Sequence, residues 1–369
     1  MTKKAVIAMS GGVDSSTAAL LTQEMGYETI GITLKLYTNE GICLTKTRTC
    51  CSLDDVEDAR AVAAKLDMPF YVLNFTDDFE ENVIERFVEA YESGYTPNPC
   101  IDCNRYIKFQ SLLTRAEKLG FDYIVTGHYS RIEQDKVTGR YLLKKGLDDT
   151  KDQSYMLYTL TQEQLAKTLF PLGNMRKEHV REIAEEHGLV NARKRDSQDI
   201  CFVPDGDYAG FIKRYKGIEF KPGNFVGTNG QIYGQHKGII HYTIGQRKGL
   251  GISFPQPMFV GGIDTVKNEV LLCKAEELFS TELIARDINL ISCERIDEPM
   301  RVLAKVRYRH KEQPATVIQT GEDEIKIVFD EPQRAITNGQ AVVMYQDDVV
   351  VGGGIIKETQ PVRADYTGD

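Results

Sequence analysis

Cys100 and Cys103 sit in 97-PNPCIDCNRYIKF-109 at the spacing C-x-x-C. That spacing serves zinc ribbons, thiol–disulfide exchange and iron–sulfur clusters, and it also occurs with no chemistry attached. A structural zinc site wants four ligands, ordinarily two cysteine pairs, and the sequence holds no second C-x-x-C. Cys103 falls just inside the start of an expected helix, after 96-TPNP-99, where two prolines restrict the backbone. A helix N-terminus lowers a thiol's pKa from about 8.5 towards neutrality, and Arg105 and Lys108 add positive charge nearby. The segment reads as the setting of a nucleophilic thiolate. Cys201, in 196-DSQDICFVP-204, is a third candidate and follows the basic run 193-RKR-195.

A second chemical feature is 9-MSGGVDSS-16. It has no G-x-x-x-x-G-K-[ST] and no G-x-G-x-x-G, so neither the standard P-loop nor a dinucleotide fingerprint fits. Gly11 and Gly12 let the backbone approach an anion, and Ser10 and Ser15 offer hydroxyls. The helix that follows supplies unsatisfied N–H groups and partial positive charge. Asp14 is a candidate ligand for a magnesium ion bridging phosphates. Alone, GG-x-D-S is an ordinary glycine turn with a serine cap. Its place after the first strand of an α/β domain favours phosphate binding.

The elements around these features alternate. An apolar run 4–10 is followed by a helix ending at Gly26, strand 29–37, helix 52–67 capped by Ser52, strand 70–75 and helix 78–94. After the cysteine turn come a helix to about Leu119 and strand 123-YIVTGH-128, then helices over 154–170 and 177–188. Such alternation predicts an α/β fold with a doubly wound, mostly parallel, Rossmann-like sheet, whose ligands lie at the strands' carboxyl ends. From about Pro204 helical periodicity fades, short strands appear in 225–252, and a second β stretch runs from about 280 to 357. The expected division is a catalytic domain 1–203, a small central β-rich domain 204–277, a C-terminal β-barrel 278–360 and a flexible tail 361–369.

Composition sets the class. The 369 residues are 41% hydrophobic and 27% charged, ordinary for a soluble globular chain. No apolar run approaches the ~18 residues of a membrane span, and MTKKAVIAMS lacks a signal-peptide core, so a cytoplasmic protein with no membrane contact is expected. Eight cysteines are too sparse for a disulfide scaffold. Cys273 and Cys293 read as buried small hydrophobes, and Cys43, Cys50 and Cys51 receive no role. A net charge of −9 disfavours indiscriminate binding to polyanions, but local patches decide phosphate contacts. Two patches qualify: 193–195, and 301-RVLAKVRYRHK-311 with five Lys/Arg and no acid. Each is equally well read as a solvated face.

The loop SGGVDS resembles the pyrophosphate loop of the ATP pyrophosphatases, which adenylate a substrate oxygen before attack by nitrogen or sulfur. Further stretches extend the resemblance over nearly the whole chain: TPNPCIDCNRYIKF, TGHYSR, KDQSYMLYTL, RKRDSQDICF, HYTIGQRKGLGI, VRYRHKEQPATV and VFDEPQRAITNGQAVVMY. Together they resemble the tRNA-specific 2-thiouridylases of the MnmA/TrmU family. The resemblance implies adenylation of the wobble uridine at C2, then sulfur transfer from a cysteine persulfide. It implies ATP with Mg2+, a tRNA substrate of the Lys, Glu and Gln type, and a sulfur donor that is a cysteine desulfurase or its carrier. Carried over position by position, Ala8, Met9, Ser10, Gly11, Gly12, Val13, Asp14, Ser15, Leu34 and Gly127 bind ATP. Cys103 is the nucleophile and Cys201 the persulfide carrier, and a disulfide between them closes the cycle. Asn98, Pro99 and Cys100 approach the target base, while His128, Lys151, Asp152, Gln153, Arg307, Tyr308 and Gln340 contact tRNA.

One position departs from the family pattern: many members have Asp where this chain has Cys100. Cys100, Cys103 and Cys201 are then a possible ligand set for a [4Fe-4S] cluster with one iron open to sulfide, as in related tRNA thiolases. Beyond this and the magnesium candidate at Asp14, no metal site is expected. Two rival classes use less of the sequence. An amidating ATP pyrophosphatase leaves Cys103 and Cys201 idle, and a non-catalytic RNA-binding or redox module has no need of SGGVDS.

Overall fold

The computed structural model describes residues 2–38, 53–195, 200–254 and 256–361. The expected cap at Ser52, the cysteines at 43, 50 and 51 and the tail beyond 361 lie outside the described residues. The chain divides into two compact units, each assembled from separated stretches. Unit 1 is Met1–Ile84, Pro99–Asp207 and Asp348–Val350. Unit 2 is Glu85–Asn98, Tyr208–Asp347 and Val351–Asp369.

Unit 1 is built on the parallel sheet that the alternation predicts. Its strands are β1 (Lys4–Ala8), β2 (Glu28–Lys35), β3 (Phe70–Asn74) and β4 (Tyr123–Val125). A hairpin of β5 (Ser130–Gln134) and β6 (Tyr141–Lys145) comes next in the chain, and β7 (Thr168–Leu169) completes the sheet. The order is β3-β2-β1-β4-β7, every pairing parallel. β1 is apolar from Ala5 to Ala8, and β2 is buried without a break from Gly31 to Leu34, because both faces of such a sheet are covered. Helix α1 (Val13–Glu24) and helix α2 (Leu53–Lys65) flank it. Ala5, Ile7, Met9, Ala18, Val62, Val125 and Val180 form one core cluster. The order reverses at β1, so the crevice beyond the carboxyl ends of β1 and β4 is the position where this fold binds ligands. Both chemical loops, 9–12 and 126–128, leave the sheet there.

The long helix expected over 154–170 is not formed. Ser154–Leu157 makes one tight 3-10 turn, and a new helix, Gln162–Ala166, starts from a capping box between Thr161 and Gln164.

In unit 2, β8 (Gly223–Gly227), β9 (Ile232–His236), β10 (Phe259–Asp264) and β11 (Glu269–Cys273) form a sheet of order β10-β11-β8-β9. A helix the fading periodicity did not announce, Tyr208–Lys216, opens this region. Its Tyr208 and Phe211 pack on Phe87, and Tyr208 stacks on Tyr91; Phe87 and Tyr91 lie on helix Arg86–Glu92 of the same unit. The last region is a closed antiparallel barrel. Its strands are β12 (Phe279–Leu290), β13 (Met300–Lys305), β14 (Gln313–Gly321), β15 (Glu324–Arg334), β16 (Ala341–Gln346) and β17 (Val349–Pro361). They run in the order β12-β15-β14-β13-β16-β17, and β17 returns to β12. Closure pairs each of these six strands on both sides, and alternate inward residues such as Val302, Ala304, Val317 and Ile327 fill the interior.

Candidate active site

The turn between β1 and α1 is shaped by two glycines with different tasks. Gly11 has φ +72°, and a Cβ there would meet the Asp55 carbonyl oxygen at 2.2 Å, so only glycine fits. Gly12 caps α1 in extended conformation and, among the described residues, no side-chain cap is formed. The first-turn amides lack helical partners and are available to an anion. The serines brace the turn from within. Ser15 Oγ donates to the Gly12 carbonyl at 3.1 Å and accepts from Ser10 N at 3.1 Å, while Ser16 Oγ donates to the Gly12 carbonyl at 3.0 Å. Gly127, beyond β4, lies against this turn: a Cβ would meet the Asp14 carbonyl carbon at 2.7 Å and Ser15 N at 2.8 Å. Leu34 is buried near the carboxyl end of β2. The structure thus brings residues 8–15 and Gly127 together around one helix N-terminus, and the donor set fits a polyphosphate.

Asp14 is engaged differently from expectation. Both its oxygens accept from the Lys177 ammonium, at 2.8 and 2.7 Å, and Oδ1 also accepts from the Tyr129 hydroxyl at 2.7 Å. Lys177, on helix Lys177–Glu186, is buried, and its charge is matched by this carboxylate. The chain's own ammonium sits where a magnesium ion was anticipated, so the carboxylate as placed does not fit as a metal ligand.

The Cys103 helix begins at Pro99, runs in α form to Asp102, widens to π winding over Cys103–Ser111 and closes as α over Leu112–Lys118. Cys103 is therefore past the first turn, beyond the reach of the terminal dipole. The expected lowering of its pKa does not occur. Burial pushes the thiol up, and Asp102 adds to this, against a smaller opposing pull from Lys108. Lys108 is held at 3.0 Å to Asn104 Oδ1, and buried Asn104 donates to the Met156 carbonyl at 3.0 Å. Cys201 is half-buried; its carbonyl accepts from the Tyr37 hydroxyl at 2.9 Å, and the next residue, Phe202, packs edge-on against Phe79. Cys100 is exposed. Among the described residues no three His, Cys, Asp or Glu side chains are grouped to hold a metal ion, so Cys100, Cys103 and Cys201 are not gathered as cluster ligands. Cys273 is buried, and its thiol is pushed up to about 11 by burial first and Glu277 second, whereas Cys293 is half-buried beside the barrel core.

The residues assigned to tRNA divide between the units. In unit 1, His128 is buried between Phe109 and Phe170, with Nδ1 at 2.7 Å from Thr126 Oγ1. Burial, then Lys108, holds its pKa well below the usual value, so the ring is neutral. Gln153 Oε1 accepts from Tyr129 N, Asp152 accepts from the amides of Gly146 and Ser154, and Lys151 is half-buried beside them. In unit 2, Arg307 donates to the carbonyls of Ile244 and Ala335 and to Thr337 Oγ1. Gln340 donates to the Thr96 and Pro97 carbonyls at 2.8 and 3.3 Å, which holds the strand of chain leading to Asn98. Lys305 lies over the Tyr308 ring.

Sequence reasoning missed the polar supports of the glycine turn. Lys177, Tyr129 and Asn191 carry no motif of their own, although Tyr129 stands within TGHYSR. Lys194 lies in the run 193–195, read equally as a phosphate patch and as a solvated face. Its ammonium instead reaches Asp55 at 2.6 Å, Asp58 at 2.5 Å and the Gly11 carbonyl at 3.1 Å.

Comparison with known proteins decides the family. A curated relative named tRNA-specific 2-thiouridylase MnmA, from Clostridioides difficile (strain 630), is 55% identical over 359 residues, 97% of this chain and 99% of its own. The chain belongs to the tRNA-specific 2-thiouridylase family. A second 2-thiouridylase, from Clostridium acetobutylicum, is 53% identical over 97% of this chain and 100% of its own length. Family models match along the sequence: a tRNA methyl transferase HUP domain at 3–205, its PRC-barrel domain at 209–274 and an aminomethyltransferase beta-barrel domain at 280–356. Among solved structures, the U34-tRNA thiolase NcsA from Methanococcus maripaludis, with its [4Fe-4S] cluster, aligns at 17% identity and TM-score 0.36 over 58% of this chain and 71% of that one. A likeness that loose carries no argument about this 2-thiouridylase's sulfur chemistry.

Proposed function

We propose that the chain is a tRNA-uridine 2-sulfurtransferase that consumes ATP to make 2-thiouridine at the wobble position. The observation that carries this is identity above half over essentially the full length of 2-thiouridylases, with the glycine turn intact at the β1–α1 junction. The first-turn amides of α1 would receive ATP's phosphates, and magnesium would neutralise part of the polyphosphate's charge. The uridine's O2 attacks the α-phosphorus and pyrophosphate leaves. Adenylation is needed because the C2 carbonyl is a poor electrophile and its oxygen a poor leaving group.

Cys201 carries a persulfide received from a cysteine desulfurase or its carrier. The outer sulfur adds to C2, and AMP departs with the former O2. The Cys103 thiolate attacks Cys201 Sγ, the S–S bond to the outer sulfur breaks, and that sulfur remains on C2 as the thiocarbonyl. A Cys103–Cys201 disulfide is left, which a cytosolic dithiol reduces for the next round. Cys103 begins each round protonated, because its environment holds the thiol up. Proton loss therefore precedes its attack. Attack at C2 needs the base out of its stack. Asn98, Pro99 and Cys100 meet that base, and the residues of 151–153, with His128, Arg307, Tyr308 and Gln340, support tRNA binding.

The test is mass spectrometry of nucleosides from tRNA of a strain lacking this gene. Loss of 2-thiouridine, restored by the wild-type chain and not by Cys103→Ser or Cys201→Ser, is expected. Unchanged 2-thiouridine on deletion overturns the proposal.

A further inference from the structure

The peptide between Gly11 and Gly12 has its two faces in different surroundings. On the Gly11 side the carbonyl accepts from Asn191 Nδ2 at 3.0 Å and from Lys194 Nζ at 3.1 Å. Asn191 is itself buried and also donates to Ser16 Oγ at 2.8 Å. On the Gly12 side there is room: a Cβ there would meet nothing nearer than Ser10 Oγ, at 3.5 Å. No peptide bond among the described residues is cis, and in a trans peptide the C=O and the following N–H point in opposite directions. Fixing the Gly11 carbonyl on Asn191 and Lys194 therefore turns the Gly12 N–H to the open side, the side on which the first-turn amides of α1 are offered.

Lys194 has a second effect. Its ammonium lies between Asp55 and Asp58 in the first turns of α2, whose charges would otherwise repel an incoming polyphosphate. The Asp55 backbone also walls the Gly11 side of the turn.

We infer that Asn191 and Lys194 are positioning residues that set the pyrophosphate loop for ATP, acting on nucleotide binding and adenylation and leaving tRNA binding and persulfide loading alone. The inference rests on the ATP-dependent reading above. Without the two donors the peptide is free to rotate, the Gly12 N–H is lost to the phosphates, and the carboxylate pair is exposed to them.

The experiment uses the full chain with α,β-methylene-ATP, measured by calorimetry, alongside tRNA binding and persulfide loading of Cys201. Lys194→Met, which keeps the stem and removes the charge, is expected to weaken the nucleotide about 10- to 100-fold, the range for losing a charge-assisted hydrogen bond. Affinity for tRNA and persulfide loading are expected to stay within about 2-fold, and Lys194→Arg to recover most of the loss. In turnover, the KM for ATP rises and the KM for tRNA does not. If Lys194→Met does not fold, the near-isosteric Asn191→Asp, which faces the Gly11 carbonyl with an acceptor, carries the same expectation. Wild-type affinity for the nucleotide in these variants, or equal loss of nucleotide and tRNA binding, overturns the inference. A wild-type chain that binds no nucleotide instead overturns the ATP-dependent reading itself.

Discussion

Lys177→Met isolates the contact that stands in place of the anticipated magnesium ion. In the wild type the ammonium lies 2.8 and 2.7 Å from the two Asp14 oxygens, with side-chain exposures of 10% and 31%. Removing one member of a fully buried pair costs about 3–5 kcal/mol, because the other charge is stranded. Asp14 is less enclosed than that and keeps the Tyr129 hydroxyl at 2.7 Å, so the expected loss is about 1–3 kcal/mol. For a unit of this size that lowers Tm by roughly 2–4 °C per kcal/mol. Thermal unfolding followed by circular dichroism measures it, with Asp14→Asn and the double variant completing a cycle. The double variant strands no charge and is expected to regain at least about 1 kcal/mol over the sum of the single losses. A Lys177→Met chain within about 0.5 kcal/mol of wild type, or a double variant as unstable as that sum, refutes the reasoning.

Other outcomes follow from the same geometry. Gly127→Ala drives a Cβ into the Asp14–Ser15 peptide, whose atoms lie 2.7 and 2.8 Å away, and is expected to slow tRNA-dependent pyrophosphate release by about 100-fold; near-normal release refutes the close approach. The Cys103 thiol, raised by burial, is expected to alkylate with a pH midpoint above that of an exposed thiol, and Lys108→Met to move the midpoint higher still because a stabilising charge is gone; a lower midpoint sinks this account. His128 binds protons less readily folded than unfolded, so its contribution to stability is full above about pH 6.5 and is lost as pH falls from there through the depressed folded value; His128→Gln is expected to flatten the acid limb of a Tm-against-pH curve. Gln340→Ala removes the two donations to the Thr96 and Pro97 carbonyls and is expected to cost unit 2 about 1–2 kcal/mol in a denaturant titration, which a change below ~0.3 kcal/mol contradicts.

Features with a local cause were legible in the sequence. The parallel sheet follows from apolar runs alternating with helical periodicity, the stop of α1 from Gly26, and the turn for an anion from two glycines between strand and helix. The barrel was readable from alternation over 324–330 and 341–357. What escaped depends on partners distant in sequence. Nothing near Asp14 announces that a lysine 163 residues away will take both its oxygens. Lys194 belongs to a basic run whose composition fits a solvated face, and only its placement between Asp55 and Asp58 gives it work. The thiol environment of Cys103 was misjudged because the helix starts four residues earlier, at Pro99, and because packing around the π winding outweighs nearby positive charge.

The interleaving of the two units constrains how this chain can be made and cut. Unit 1 draws its last strand of chain, Asp348–Val350, from near the far end of the sequence, so a ribosome must release almost everything before that unit has all its parts. Unit 2 in turn borrows Glu85–Asn98. A fragment begun at residue 208 would lack Phe87 and Tyr91, and Tyr208 and Phe211 would lose their contacts with those two rings. Proteolytic or genetic cutting near residue 208 therefore yields sticky, incomplete pieces, and the two can be inherited only as one.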